Sequence, residues 1–214
     1  MKRPSDATLR EDICRVGRSI FDRGLTHGST GNVSARLEDG WLLTPTGGSL
    51  GRLDPATLSR LDWNGTLLSG DPPSKESFLH LAMYQERPQT GAVVHLHSTH
   101  SVAVSVLDDI DPGDVLPPMT AYYVMRVGTL PLVPYYAPGD RQLAEAVRRV
   151  AGKHHALLLA NHGPVVAGSS LATAVDAVEE LEATARIFLL LQGHRLRLLS
   201  SAQVADLKAR YPAG

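Results

Sequence analysis

Two histidines one residue apart, His95 and His97, close the apolar run Gly91-Ala-Val-Val-His-Leu-His. On a strand, successive side chains point to opposite faces, so this spacing turns both imidazoles the same way. Two imidazoles on one face of a rigid element begin a zinc site, which still needs further ligands. Glu76 lies in the first turn of an expected helix, and His162 at a turn behind the apolar run 156–160. Glu76, His95, His97 and His162 thus make a Glu-plus-three-His set drawn from three separate elements. An open coordination position on such a set would make the site catalytic. Taken singly, each residue also has a plainer reading. His95 and His97 suit a satisfied core, His162 a turn, and Glu76 the positive end of a helix dipole.

Three small-polar loops have the chemistry to hold an anion. Gly31-Asn32 offers a backbone amide and a side-chain amide, and Thr46-Gly47 a hydroxyl and flexible backbone. Ser74-Lys75 falls at an expected helix N-terminus, where unpaired N–H groups and the dipole favour phosphate, and Lys75 adds a point charge. Each loop alone is equally an ordinary turn or cap. Tyr122-Tyr123 and Tyr135-Tyr136 read as packing aromatics, although a phenol is also a proton donor. His80 and His100, on expected helices, read as structural or surface residues, and Glu179-Glu180-Leu-Glu182 as a solvated helical face. The sequence shows no Ser-His-Asp pattern, Walker motif or dinucleotide fingerprint.

These residues need elements to position them. Leu9, Ile13, Val16 and Ile20 share one helical face. Residues 33–36 and 41–44 predict a hairpin, and Asn64-Gly65 marks another between 60–63 and 66–68. Ser74 is the expected N-cap of a helix burying Phe78, Leu79, Ala82 and Met83. Strands are expected at 93–97, 130–135, 156–160 and 165–167, and a loop over 108–119. Helices are expected at 98–106, 140–150 (opened by Pro138-Gly139-Asp140), 171–191 and 202–210. No regular βαβ rhythm links them. A mixed or antiparallel sheet covered by helices on both faces fits best.

The chain of 214 residues reads as one domain, 1–214, without repeats or linkers. It is 43% hydrophobic and 20% charged with a formal net charge of −1, which argues against bulk binding of nucleic acid or anionic membrane. The first residues lack the apolar core of a signal peptide, and no apolar run is long enough to span a bilayer. The lone Cys14 reads as a small apolar packing residue, and a cytoplasmic location fits.

Five motifs occur in order: Gly31-Asn32-Val33-Ser34, Thr44-Pro45-Thr46-Gly47, Pro73-Ser74-Lys75-Glu76, Val94-His95-Leu96-His97 and Asn161-His162-Gly163. Together they resemble the class II aldolase/adducin family, typified by fuculose-phosphate aldolase and ribulose-phosphate 4-epimerase. The resemblance implies an α/β fold, three-layer α/β/α around a mostly antiparallel sheet, and a homotetramer with active sites at subunit interfaces. It implies zinc, or manganese or cobalt in its place, on His95, His97 and His162, with Glu76 as ligand and acid/base. It makes Gly31-Asn32, Thr46-Gly47 and Ser74-Lys75 the phosphate loops.

Lysine at 75, where the aldolase has serine, together with His95-Leu-His-Ser-Thr and Tyr123-Val-Met-Arg126, looks like the 3-oxo-tetronate 4-phosphate decarboxylase branch. That branch implies loss of carbon dioxide from a 3-oxo acid through a metal-stabilised enediolate, yielding dihydroxyacetone phosphate. Glu76 is the first candidate proton donor, with Tyr122 or Tyr123 second. Lys75 and Arg126 would meet the two anionic groups of a phosphorylated sugar acid. The alternatives are a sugar-phosphate aldolase or epimerase, or a non-catalytic module like the adducin head. Retention of all four candidate ligands speaks against the module.

Overall fold

The computed structural model describes residues 4–137 and 139–211. Pro138, expected to help open a helix, lies outside the described residues. The first expected hairpin is β1 (Asn32–Arg36) and β2 (Trp41–Leu43), and the second is β3 (Ser59–Leu61) and β4 (Leu67–Ser69). The remaining strands are β5 (Ala92–His95), β6 (Leu132–Val133), β7 (Ala156–Leu159) and β8 (Gly163–Gly168). In space they form a sheet in the order β4-β3-β2-β1-β5-β8-β7-β6. Each neighbouring pair is antiparallel except β6 and β7, so the sheet is mixed and mostly antiparallel.

Helices cover both faces: α1 (Asp6–Asp22), α2 (Ser77–Glu86), α3 (Thr99–Ser105), α4 (Ala121–Arg126), α5 (Gln142–Ala151), α6 (Leu171–Leu190) and α7 (Ser201–Arg210). The alternation along β7 shows the layering. Ala156 and Leu158 pack with Ile13 and Ile20 of α1 and Val178 and Leu181 of α6. Leu157 and Leu159 pack on the other side with Leu79 and Met83 of α2 and Leu143 and Val147 of α5. A sheet buried on both faces needs apolar residues at every strand position, which is why its central strands read as unbroken apolar runs. Each fully buried leucine contributes roughly 1.5–3 kcal/mol relative to exposure.

Four expectations need correction. The central strand stops at His95, not His97, because the chain turns at Leu96-His97 to enter α3. The strand expected over 130–135 is only β6. The helix expected from Ser74 starts later, with Glu76 at its N-cap position. Pro45 and Pro73 form an isolated antiparallel bridge that keeps the chain extended up to Ser74. The Ser74 hydroxyl then accepts from the Glu76 amide at 3.3 Å, closing a local turn before the helix begins. Glu182, expected on a solvated face, is buried. Its carboxylate accepts from the Ser101 and His100 backbone amides at 2.8 and 2.9 Å, so α6 caps the start of α3. A short helix, α4, stands where the sequence predicts no element.

Candidate metal centre

Three chain segments deliver the four candidate ligands to one point. β5 carries His95 at its end, and His97 follows two residues later in the turn toward α3. His162 lies in the turn joining β7 to β8, and Glu76 at the start of α2. The ligand atoms all lie within 4.8 Å of one another. His97 Nε2 is 3.2 Å from His95 Nε2 and 3.1 Å from His162 Nε2. Glu76 completes the set, with one carboxylate oxygen 3.4 Å from His95 Nε2 and the other 3.1 Å from His162 Nε2.

Two close backbone approaches hold this geometry. Asn161 adopts φ 55°, a left-handed conformation that asparagine tolerates better than most residues, and Gly163 follows at φ 148°. A Cβ on Gly163 would fall 2.2 Å from the Leu96 carbonyl oxygen. Only glycine therefore lets the His162 turn sit against the Leu96-His97 segment. Across the strand, Gly31 at φ 78° also brings its loop close, since a Cβ there would lie 2.9 Å from the His95 carbonyl oxygen.

The chemistry of this donor set fits a divalent cation. The Pro164 carbonyl oxygen lies 2.8 Å from His95 Nδ1 and can only accept, so Nδ1 carries the ring proton. The Nε2 lone pair is thereby left facing the cluster, the usual arrangement for a metal-ligating histidine. Burial holds His95 below the ordinary histidine range and pushes His97 down to about 4, keeping both rings neutral at pH 7. Burial opposes charge on Glu76, but hydrogen bonds from His162 and the Asn32 amide outweigh it and hold its carboxyl well below the usual carboxylate range. Nitrogens bound to zinc at about 2.0–2.1 Å would stand about 3.3 Å apart on a tetrahedral edge. The two N···N separations here are close to that value.

The cluster opens on a cavity of 860 Å³. Gly31 and Asn32, Thr46 and Gly47, and Ser74 and Lys75 all line it with Glu76, His97 and His162. Their convergence is a backbone effect. Thr46 N–H donates to the Pro72 carbonyl at 2.9 Å, Ser74 N–H to the Thr44 carbonyl at 3.3 Å, and Thr44 N–H to the Val33 carbonyl at 3.1 Å. Three loops far apart in sequence are zipped along one rim.

Tyr122, Tyr123 and Arg126 do not line this cavity. Tyr123 is buried in the core beneath α4, and its hydroxyl has no hydrogen-bond partner among the described residues. It is not placed to act at the cluster of its own chain. Tyr122 is 59% exposed, with the Arg126 guanidinium 5.6 Å from its ring centre. Arg126 lies 3.6 Å from Asp176. Conversely, Tyr135 and Tyr136, read above as packing aromatics with proton-donor capacity, and Asn161 of the fifth motif line the cavity, as do His27 and Thr30, which nothing in the sequence marks as binding groups. The only signal for His27 and Thr30 is proximity to the first motif.

Residues 11–189 match the family described as class II aldolase and adducin N-terminal domain. The chain belongs to the class II aldolase and adducin family. Within it, the chain is 50% identical over 207 residues to a Haemophilus influenzae protein named 3-oxo-tetronate 4-phosphate decarboxylase, covering 96% of this chain and 99% of that one. It is 36% identical over 184 residues to the L-fuculose phosphate aldolase of Escherichia coli K12, covering 82% and 83%. The crystal structure of YgbL from Escherichia coli superposes with a TM-score of 0.93 at 47% identity, covering 95% of this chain and 99% of that one. The three-layer fold expected of a class II aldolase-family chain is the fold observed. Among the described residues, no helix is long and apolar enough to cross a membrane.

Proposed function

We propose that this chain is a metal-dependent carboxy-lyase that converts 3-oxo-tetronate 4-phosphate to dihydroxyacetone phosphate and carbon dioxide. The observation that carries this reading is the Glu76–His95–His97–His162 cluster opening on a cavity that also presents Lys75. Its support in sequence is 50% identity over nearly the whole chain to a protein bearing that name, against 36% to an aldolase.

When bound, one divalent ion, for which zinc is our choice, supplies Lewis acidity to the substrate's ketone oxygen. The chain's own residues do the rest. The Gly31-Asn32 and Thr46-Gly47 loops and Ser74 bind the phosphate, and Lys75 answers one of the two anionic groups. The bond between the carboxylate carbon and the hydroxyl-bearing carbon breaks, and its electron pair flows toward the ketone oxygen. That carbon must then gain a proton. Glu76 delivers it, and because its resting carboxylate is ionised the proton is first taken up from solvent water, one per carbon dioxide released.

The chain, as one domain, works in this reading as a cytoplasmic homotetramer, with Tyr122 of one copy facing the site of the next and Arg126 beside it. The exposure of Tyr122, and of Leu190, Leu191, Leu196 and Leu198 near the end of α6, supports such a contact. Mixing a Tyr122→Phe variant with a His95→Ala variant then restores part of the lost activity. No recovery on mixing, with subunit exchange verified by mass, removes Tyr122 from the neighbouring site.

The reaction itself is tested by incubating the metal-loaded protein with 3-oxo-tetronate 4-phosphate and with a panel of ketose 1-phosphates. Carbon dioxide release from the acid alone is the expected result. Aldehyde release from a ketose would replace the decarboxylase with the aldolase, which the same cluster and loops can serve.

A further inference from the structure

His80 lies one helical turn beyond Glu76 on α2, wholly buried and outside the cavity. Its ring stacks on Trp41, with centroids 6.4 Å apart and planes inclined by 12°. Around it runs a chain of buried polar groups. Asn32 and Ser34, two apart on β1 and so on one face of the sheet, flank the ring. The directions of these hydrogen bonds follow from the single member that has no choice.

An ionised carboxylate only accepts hydrogen bonds. The Asn32 atom 2.8 Å from Glu76 Oε2 is therefore its NH₂ group, which also stands 3.1 Å from the Ser74 hydroxyl oxygen. The Asn32 carbonyl oxygen must then face His80 Nε2, at 2.5 Å, and this nitrogen must carry a proton. A ring buried this deeply is neutral, pushed down to about 3 by burial and by nearby His95, and a neutral ring has one N–H. Nδ1 is therefore an acceptor and takes the Ser34 O–H at 2.7 Å. Ser34 in turn accepts from the Tyr84 O–H at 2.8 Å. Every link from Tyr84 to Glu76 has one permitted direction.

We propose that His80 is a positioning residue: as its Nε2–H tautomer it locks the Asn32 amide so that one NH₂ group serves both the Glu76 carboxylate and the Ser74 hydroxyl. The same amide thereby ties the acid/base group to the anion-binding rim. His80 reaches neither the cavity nor the cluster, so it acts only through Asn32. That Glu76 works in catalysis rests on the function proposed above. The network does not, and it can be tested in the metal-free protein without substrate.

Long-range proton–nitrogen correlation spectra of metal-free, ¹⁵N-histidine-labelled protein should show His80 with a protected, slowly exchanging proton on Nε2 and a bare Nδ1. A proton on Nδ1, or an Nε2 proton exchanging as fast as a surface imidazole's, overturns the proposal. Two polar replacements provide the functional arm. The longer side chain of a His80→Gln variant places its amide near the former Nε2 and still donates to Asn32. A His80→Asn variant reaches only as far as the former Nδ1, toward Ser34. Per folded, metal-loaded chain, His80→Gln should keep kcat within a few fold of the parent. His80→Asn should lose about 10- to 100-fold, the loss typical for an outer-shell partner, and should also raise KM because Ser74 loses its tie. Equal kcat and KM in both variants would reduce His80 to a packing residue. If neither variant folds, the spectra of the unaltered protein still decide. If the spectra succeed but the protein has no decarboxylase activity, the network stands and only the proposed reaction fails.

Discussion

The molecule holds a cluster of three histidines and, one helical turn from its Glu76, the single buried His80, and uses them in opposite ways. In the cluster of His95, His97 and His162, ring nitrogens face one another 3.1–3.2 Å apart, and a backbone carbonyl on His95 Nδ1 leaves its Nε2 lone pair free. Around His80 both ring nitrogens are engaged, one donating to Asn32 and the other accepting from Ser34. The first group could hold a metal ion, and in the function proposed above a cation completes it. The second is closed and needs nothing more. Burial keeps His95, His97 and His80 neutral alike, so what separates a candidate ligand from a structural strut here is which hydrogen-bond partners occupy the ring, not burial alone.

The contrast is sharpest when a cluster ring is removed. His162→Ala should strip the bound ion and abolish turnover, a loss greater than the roughly 100-fold typical of outer-shell changes. Metal analysis of the purified variant would check it, and a full complement of metal would contradict the assignment of His162. The closed group should add to the acid sensitivity of the metal-free protein. His80 sits at about 3 in the folded protein against 6.5 when free, so between these values the unfolded chain binds more protons. Stability is then fully present above pH 6.5 and falls as pH drops toward 3, by on the order of 5 kcal/mol from this ring alone. Denaturant titrations of metal-free parent and His80→Gln protein should show a smaller acid-induced loss in the second, where only His95, His97 and His155 still contribute.

Two smaller effects probe what surrounds the groups. Gly163→Ala should force the His162 turn away from the Leu96 carbonyl and cost about 1–3 kcal/mol of stability, together with weaker metal binding. Calorimetry with and without metal would separate the two losses. Lys75→Ser should raise KM for the phosphorylated acid about tenfold, the loss of one charged hydrogen bond, with kcat nearly unchanged. An unaltered KM would leave Lys75 outside substrate recognition.

Much of the site is legible in the sequence because its ligands come in short, rule-bound contexts. His95 and His97 end an apolar run, His162 occupies an Asn-His-Gly turn, and Glu76 precedes a helix. Even though His97 lies past the strand, the i, i+2 spacing still brings the two rings together. His80 reads as structural or surface although it stands four residues from Glu76, the spacing that puts two side chains on one helix face. The missing information is Asn32, 48 residues away, whose contact no local pattern encodes. Arg126 and Tyr122 fail in the other direction. Their motif is local, but α4 turns both away from their own chain's cavity.

Composition, apolar patterning and five short motifs determined, without coordinates, that this chain builds a helix-covered sheet and carries a three-imidazole, one-carboxylate set. Strand alternation and turn chemistry are properties of neighbours in sequence, so the sequence exposes them directly. Only the tertiary structure decided which nitrogens keep their lone pairs, which loops share one rim, and which buried ring braces an amide. Those outcomes depend on donors and acceptors from distant segments meeting within about 3 Å, where each fixes the other's proton.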